Sequence, residues 1–238
     1  MKKIFTLSVV LIMMLAMTAC GTETTVTTPD NKQVSVGTIE ELELLIEEDI
    51  TGTTTALKTE YEELVAEIDT FEEYQENVDK VQAFYDKIND ENRNLCIRMR
   101  EYSVAYAELI TNMDGSYDEK EDVLDDMYDT LYDDASGEIY DALYDDLMGD
   151  MYDSFYSGVV SDGYDHVPYK VWSDISSDAY DMWSNCGSDI YDEWSDFGSD
   201  VYDFWSDIYS AMWDGDNEEI EEEIIKFKED IEALKLEE

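Results

Sequence analysis

Apolar residues recur along this chain in distinct rhythms, and each rhythm predicts a helix packed in its own way. Thr38, with Glu41 three residues on, has the spacing of a capping box. Ile39, Leu42, Ile46 and Ile50 then follow at steps of three and four, a helical stripe. Thr51-Gly52-Thr53-Thr54-Thr55 predicts an interruption, because Gly and clustered Thr are poor helix formers. Leu57, Tyr61, Leu64, Ile68 and Phe71 resume the stripe. It continues through Tyr74, Val78, Val81, Tyr85, Ile88, Leu95, Met99, Tyr102, Tyr106 and Leu109. Alternating steps of three and four make a seven-residue repeat, the mark of a helix packed along its length against others. Asp69 and Glu72 form a cap signature that predicts a break near Asp69-Thr70, and the stretch from Asn112 to Ser116, with Gly115, predicts a turn.

A second rhythm begins at Val123-Leu124. Apolar doublets recur every four residues: Met127-Tyr128, Leu131-Tyr132, Ile139-Tyr140, Leu143-Tyr144, Leu147-Met148, Met151-Tyr152, Phe155-Tyr156 and Val159-Val160, with Ala135 filling one place. A repeat of twelve overlies it, in Met127-Tyr128-Asp129, Ile139-Tyr140-Asp141 and Met151-Tyr152-Asp153. At about 100° per residue, a four-residue step overshoots a helical turn by roughly 40°. The stripe of a regular α-helix would therefore wander. Two arrangements remain open: two neighbouring helices share the stripe, or Gly137, Gly149 and Gly158 relax one helix locally.

Pro168 ends that segment, since it removes a donor and restricts the residue before it. Trp172, Trp183, Trp194 and Trp205 then stand eleven residues apart in Trp-Ser-Asp units. Apolar positions follow at Ile175, Ala179, Cys186, Ile190, Phe197 and Val201. Eleven residues over three turns give about 3.67 per turn, close to a straight helix. Asp214-Gly215-Asp216 predicts another break. A last helix carries Ile220, Ile224, Phe227, Ile231 and Leu234, with acids early and Lys226, Lys228 and Lys235 later. Three helices of roughly 45 residues would each be about 65 Å long, and connections near 115, 168 and 215 make neighbours antiparallel. The predicted fold class is all-α, an elongated antiparallel bundle of long coiled-coil-like helices over residues 38–238.

Charge narrows the partners. The formal net charge is −48, and residues 121–225 hold Lys170 as their only Lys or Arg against 32 Asp and Glu. Such a surface repels nucleic acid phosphates and anionic headgroups, so neither is expected as a partner. Divalent cations, basic peptides and glycans are compatible with it. Apolar content of 44% with 13% aromatics, arranged periodically, argues for folding against disorder. Long aromatic stripes also suit self-association.

The N-terminus adds an address. Lys2 and Lys3 precede an apolar stretch from Ile4 to Ala16, a signal-peptide layout over residues 1–19. Met17-Thr18-Ala19-Cys20 resembles the lipobox of bacterial lipoproteins, with Met17 where that family prefers Leu. The resemblance implies cleavage before Cys20, a diacylglyceryl group on its thiol, usually an acylated N-terminus, and a place on the outer face of the cell membrane. Two or three acyl chains anchor stably where one does not. Residues 20–37, rich in Thr and lacking an apolar period, are expected to be the lipidated Cys and a flexible tether. No second apolar run of about 18 residues follows. The remainder is similar to uncharacterised Gram-positive surface lipoproteins with repeated Tyr-Asp and Trp-Ser-Asp helices, a resemblance that implies no activity.

Catalytic chemistry is hard to assemble. His166 is the sole histidine and falls in a turn, and neither a nucleophile elbow nor a Gly-rich phosphate loop is present. No cofactor is expected. Cys96 and Cys186 sit at different heights of the predicted bundle and read as buried free thiols, beyond the roughly 7 Å reach of a disulfide. Asp114, Ser116, Asp118, Lys120, Asp122 and Asp125 approach calcium-loop spacing, but Glu119 stands where the loop needs Gly. The four tryptophans read as core, and Tyr180, Tyr191 and Tyr202 as half-exposed surface. The expected role is a non-enzymatic, membrane-anchored lipoprotein presenting an acidic helical face. The alternative is a lipoprotein that captures divalent cations or basic peptides.

Overall fold

Thr38 caps the first helix as its spacing predicts: its hydroxyl accepts from the Glu41 amide at 3.3 Å. In the computed structural model, which describes residues 23–29 and 32–236, this helix is α1 (Ile39–Val65). It is followed by α2 (Phe71–Asn112), a long rod α3 (117–160), α4 (Tyr169–Asp214) and α5 (Asn217–Leu234). The all-α class stands. The turns fall where the breakers lie. Thr70, one residue past the expected Asp69, caps α2 in a reciprocal box with Glu73, and Ser116 does the same with Glu119 for α3. Gly215 ends α4 at φ 71°, a conformation that favours Gly, and Asp216 caps α5.

Two expectations are corrected. The Thr51–Thr55 run does not interrupt α1; within the helix Thr54 donates to the Ile50 carbonyl at 2.8 Å. Burial of Ile46, Ile50, Leu57 and Tyr61 carries the stripe across the run. The segment read as a flexible tether is, where described, an antiparallel hairpin of β1 (Thr24–Thr27) and β2 (Gln33–Val36), with Thr24 opposite Val36. Val26 and Val36 are buried, and the Thr24 hydroxyl reaches Glu108 of α2, so docking orders a pair that would be marginal alone. The predicted stripe of α2 stays buried past Ile88 at Leu95, Met99, Tyr102 and Tyr106, and there it widens. From Leu95 to Ala107 nearly every residue is buried, because α1, α4, α5 and β1 surround that stretch.

This burial traps two arginines. Arg98 makes a two-pronged pair with Asp49 of α1 at 2.7 and 2.8 Å, and Tyr102 donates to the same carboxylate at 3.0 Å. Arg100, 1% exposed, bonds Glu193 at 2.9 Å and Asp200 at 2.8 Å on α4 and lies over the Phe197 ring. Each carboxylate keeps a guanidinium charged in the interior, and bidentate geometry suits arginine.

The rod α3 answers the question its spacing left open. It is one helical rod with wide turns, not two helices. Stretches of π-helix at Asp129–Ala135, Asp141–Leu147 and Tyr152–Val160 alternate with α-helix at Tyr117–Tyr128, Ser136–Tyr140 and Met148–Met151. A π turn is wider than an α turn, so the mixture averages about four residues per turn. The doublets then stay on one face: Leu124, Met127, Leu131, Ala135, Ile139, Leu143, Leu147, Met151 and Phe155 are all buried. Gly137 and Gly149 lie in the α stretches, so they do not form the wide turns. No helix among the described residues is long and apolar enough to cross a membrane.

Candidate functional site

The twelve-residue units of α3 run antiparallel to the eleven-residue units of α4, and the two come into register. Trp172 Nε1 donates to the Val160 carbonyl at 2.9 Å, Trp183 to Met148 at 3.0 Å, and Trp194 to Ser136 at 3.0 Å. Eleven residues back along α4 always meet twelve residues on along α3. Both units make three turns, one at about 3.67 residues per turn and the other at about four, and both rise about 16 Å.

The acceptors sit at fixed points. Ser136 and Met148 are the first residues after a π stretch, and Val160 is the last of one. They also occupy the places where the α3 doublets lack a tyrosine, so each indole takes the space that a ring leaves vacant. Trp205 departs from the series. Its partner by the same count would be Leu124, inside unbroken α-helix, and Trp205 Nε1 is buried without a hydrogen-bond partner.

Around each tryptophan gathers a rung of rings. Tyr128 and Tyr132 stack at 4.8 Å beside Tyr202 and Trp205. Tyr140 and Tyr144 stack at 4.9 Å beside Tyr191 and Trp194. Tyr152 and Tyr156, 5.1 Å apart, stand beside Tyr180 and Trp183. A partial fourth rung joins Tyr164, Tyr169 and Trp172, with Pro168 where the second α3 tyrosine would fall. Small residues of α4 make room for the rings: a Cβ on Gly187 would meet Tyr144 at 3.6 Å, and one on Gly198 would meet Tyr132 at 3.8 Å.

The outer tyrosines face solvent, as expected of them. Tyr180, Tyr191 and Tyr202 are 43%, 46% and 45% exposed. The tryptophans are half-buried, one side on the bundle and the other within the rung, so core is only half their description. An exposed Asp follows each outer tyrosine: Asp181, Asp192 and Asp203. Between the second and first rungs lies a cleft of about 490 Å³, lined by Tyr132, Ser136, Trp194, Ser199, Tyr202 and Asp203. Desolvation first, then neighbouring aspartates and tyrosines, hold the Tyr128 and Tyr140 hydroxyls above the ordinary tyrosine range.

The other singled-out residues fall elsewhere. Cys20, the expected lipidation site, lies outside the described residues, as does the expected signal peptide. His166 is exposed in the turn before Pro168. Cys96 and Cys186 are free and buried. Cys186 donates to Asn89 Oδ1 at 3.1 Å, and burial pushes its thiol up to about 12, so it is an inert packing group. The calcium-like run from Asp114 does not form a loop, because its residues from Tyr117 onward begin α3 and Glu119 turns back to Ser116. Among the described residues no group of three or more His, Cys, Asp or Glu converges as metal ligands would. Sequence reasoning missed the buried clamps Arg98–Asp49 and Arg100–Glu193, whose only signal was an Arg inside an apolar stripe. It also missed the pairing of the two repeats.

Comparison with known protein families, with curated proteins and with solved structures gives no match.

Proposed function

We propose that this chain is an exported lipoprotein, held on the outer face of a membrane by acyl chains on Cys20, that serves as a non-enzymatic interaction module. The observation that carries the working surface is the ladder: three aromatic rungs and a partial fourth along α3, the following turn and α4, with exposed acids in the same segments. Ring faces and carboxylates repeated at one spacing serve contact with an extended partner better than they serve catalysis, which needs groups converging on one atom. The lipobox residues Met17–Cys20 support the address.

Labelled palmitate fed to a Gram-positive host expressing the full chain tests the anchor. Incorporation and membrane fractionation are expected, and Cys20→Ser should abolish both and release the chain to the medium. Equal membrane retention of the unlabelled Cys20→Ser chain would defeat the anchor. The surface is tested by a triple Tyr180→Ser, Tyr191→Ser, Tyr202→Ser chain. It should remain folded and anchored while losing whatever the ladder binds.

A further inference from the structure

Resting on the reading of the ladder as the working face, we infer that its partner is an extended basic polypeptide segment, laid along the groove between α3 and α4. Three observations select this chemistry.

The first is charge. Residues 121–214, which carry every rung, contain Lys170 as their only Lys or Arg, and it is already paired with Asp174 at 2.7 Å. Exposed carboxylates follow ladder tyrosines on both helices: Asp181, Asp192 and Asp203 on α4, and Asp129, Asp141 and Asp153 on α3. Their mutual repulsion is relieved by a cation and worsened by an anion. A second copy of this chain would bring the same sign of charge, so ladder-to-ladder docking is disfavoured.

The second is the rings. The exposed Tyr180, Tyr191 and Tyr202 put aromatic surface at the edge of the groove, and an ammonium or guanidinium over a ring face is attracted in addition to its attraction to carboxylates. A neutral sugar would use the rings but leave the acids uncompensated. A basic side chain uses both. The cleft lined by Tyr132, Trp194, Ser199, Tyr202 and Asp203 offers ring, hydroxyl and carboxylate together, with Ser136 and Gly198 keeping its floor low.

The third is spacing. Successive rungs are about 16 Å apart, since each spans eleven α-helical residues. An extended peptide rises about 3.3 Å per residue, so about five residues separate contacts, about ten link the first full rung to the third, and roughly fifteen reach the partial fourth. A divalent ion has no use for this length, whereas an extended chain gains a contact with each rung.

The test uses the full chain in non-ionic detergent micelles, with a fifteen-residue oligolysine as probe and its own tryptophan fluorescence as reporter. Saturable binding is expected. A triple Tyr180→Ser, Tyr191→Ser, Tyr202→Ser chain, which keeps every acid, should bind at least tenfold more weakly. A triple Asp181→Asn, Asp192→Asn, Asp203→Asn chain, which keeps every ring, should also lose at least tenfold. Circular dichroism melts establish that both variants fold. Undiminished affinity in the tyrosine variant would mean diffuse attraction to acids and would overturn the inference. A neutral glucose hexasaccharide that saturates the ladder when oligolysine does not would overturn the peptide while leaving the ladder a binding face. Silence from both probes would remove both, and the palmitate experiment judges the anchor separately.

Discussion

The two sides of this bundle hold together in opposite ways. Around α2, stability is vested in groups that occur once: the buried Arg98–Asp49–Tyr102 cluster, and the buried Arg100 reaching out to the part-exposed Glu193 and Asp200. Along α3 and α4, stability is spread over similar rungs, each with one group of rings and all but that of Trp205 with an indole hydrogen bond. A buried unique pair fixes which surfaces meet, and failure of one partner strands a charge. A repeat tolerates the loss of one element but demands that two helices of different pitch stay in step. Concentrated and distributed stabilisation thus coexist in one fold, and the surface free to repeat is the one turned to solvent.

The sharpest test is Asp49→Ala. It leaves Arg98 buried without its partner and should lower the unfolding free energy by about 3–5 kcal/mol in urea melts. Adding Arg98→Met should recover most of the loss. A cost below about 1 kcal/mol would mean that the α2 clamps are no more decisive than a rung, and the contrast would fail.

Alkaline pH comes next. Burial pushes the Tyr74 hydroxyl up to about 12, whereas an unfolded tyrosine titrates near about 10. Below about pH 10 both states keep the proton and this group contributes no pH dependence. Between the two values only the unfolded chain releases it, so stability falls by about 1.4 kcal/mol per pH unit, close to 3 kcal/mol by pH 12. Tyr85, Tyr102 and Tyr106 are raised chiefly by burial as well and steepen the fall. Urea melts at pH 9, 10 and 11 should show this slope, and Tyr74→Phe should flatten it by one proton. An unchanged slope would place the alkaline sensitivity on other groups.

A pair of substitutions addresses the rungs. Trp183→Phe and Trp205→Phe remove similar indole area, but only Trp183 gives up a hydrogen bond. Trp183→Phe should therefore cost about 1 kcal/mol more. Equal costs would deny the indole bonds any part in holding the register. The smallest effect is a gain. Gly52 lies within α1 with open space around its Cα, so Gly52→Ala should stabilise by up to about 1 kcal/mol. Gly198→Ala, whose Cβ would touch Tyr132 at an ordinary 3.8 Å, should gain no more than Gly52→Ala. A larger gain at Gly198 would show the ladder to be underpacked.

Much of this architecture was written locally. Thr38, Ser116 and Gly215 mark helix ends because capping and left-handed backbone depend on one or two residues. The tryptophan repeat placed α4, and the position of each outer tyrosine beside its stripe foretold its exposure. In α1, α2, α4 and α5 spacing alone assigned the buried stripe, since position along a regular helix is a property of one chain. The width of the turns of α3 was settled by tertiary contact. A four-residue period is neutral between π turns and shared stripes until α4 stands opposite with its own period and indole donors. Only tertiary contact, likewise, buried Arg98 and Arg100 and ordered the hairpin of residues 24–36. Burying a charge or pairing two short strands is favourable only when a distant segment supplies the partner, and no local pattern records where that segment will be.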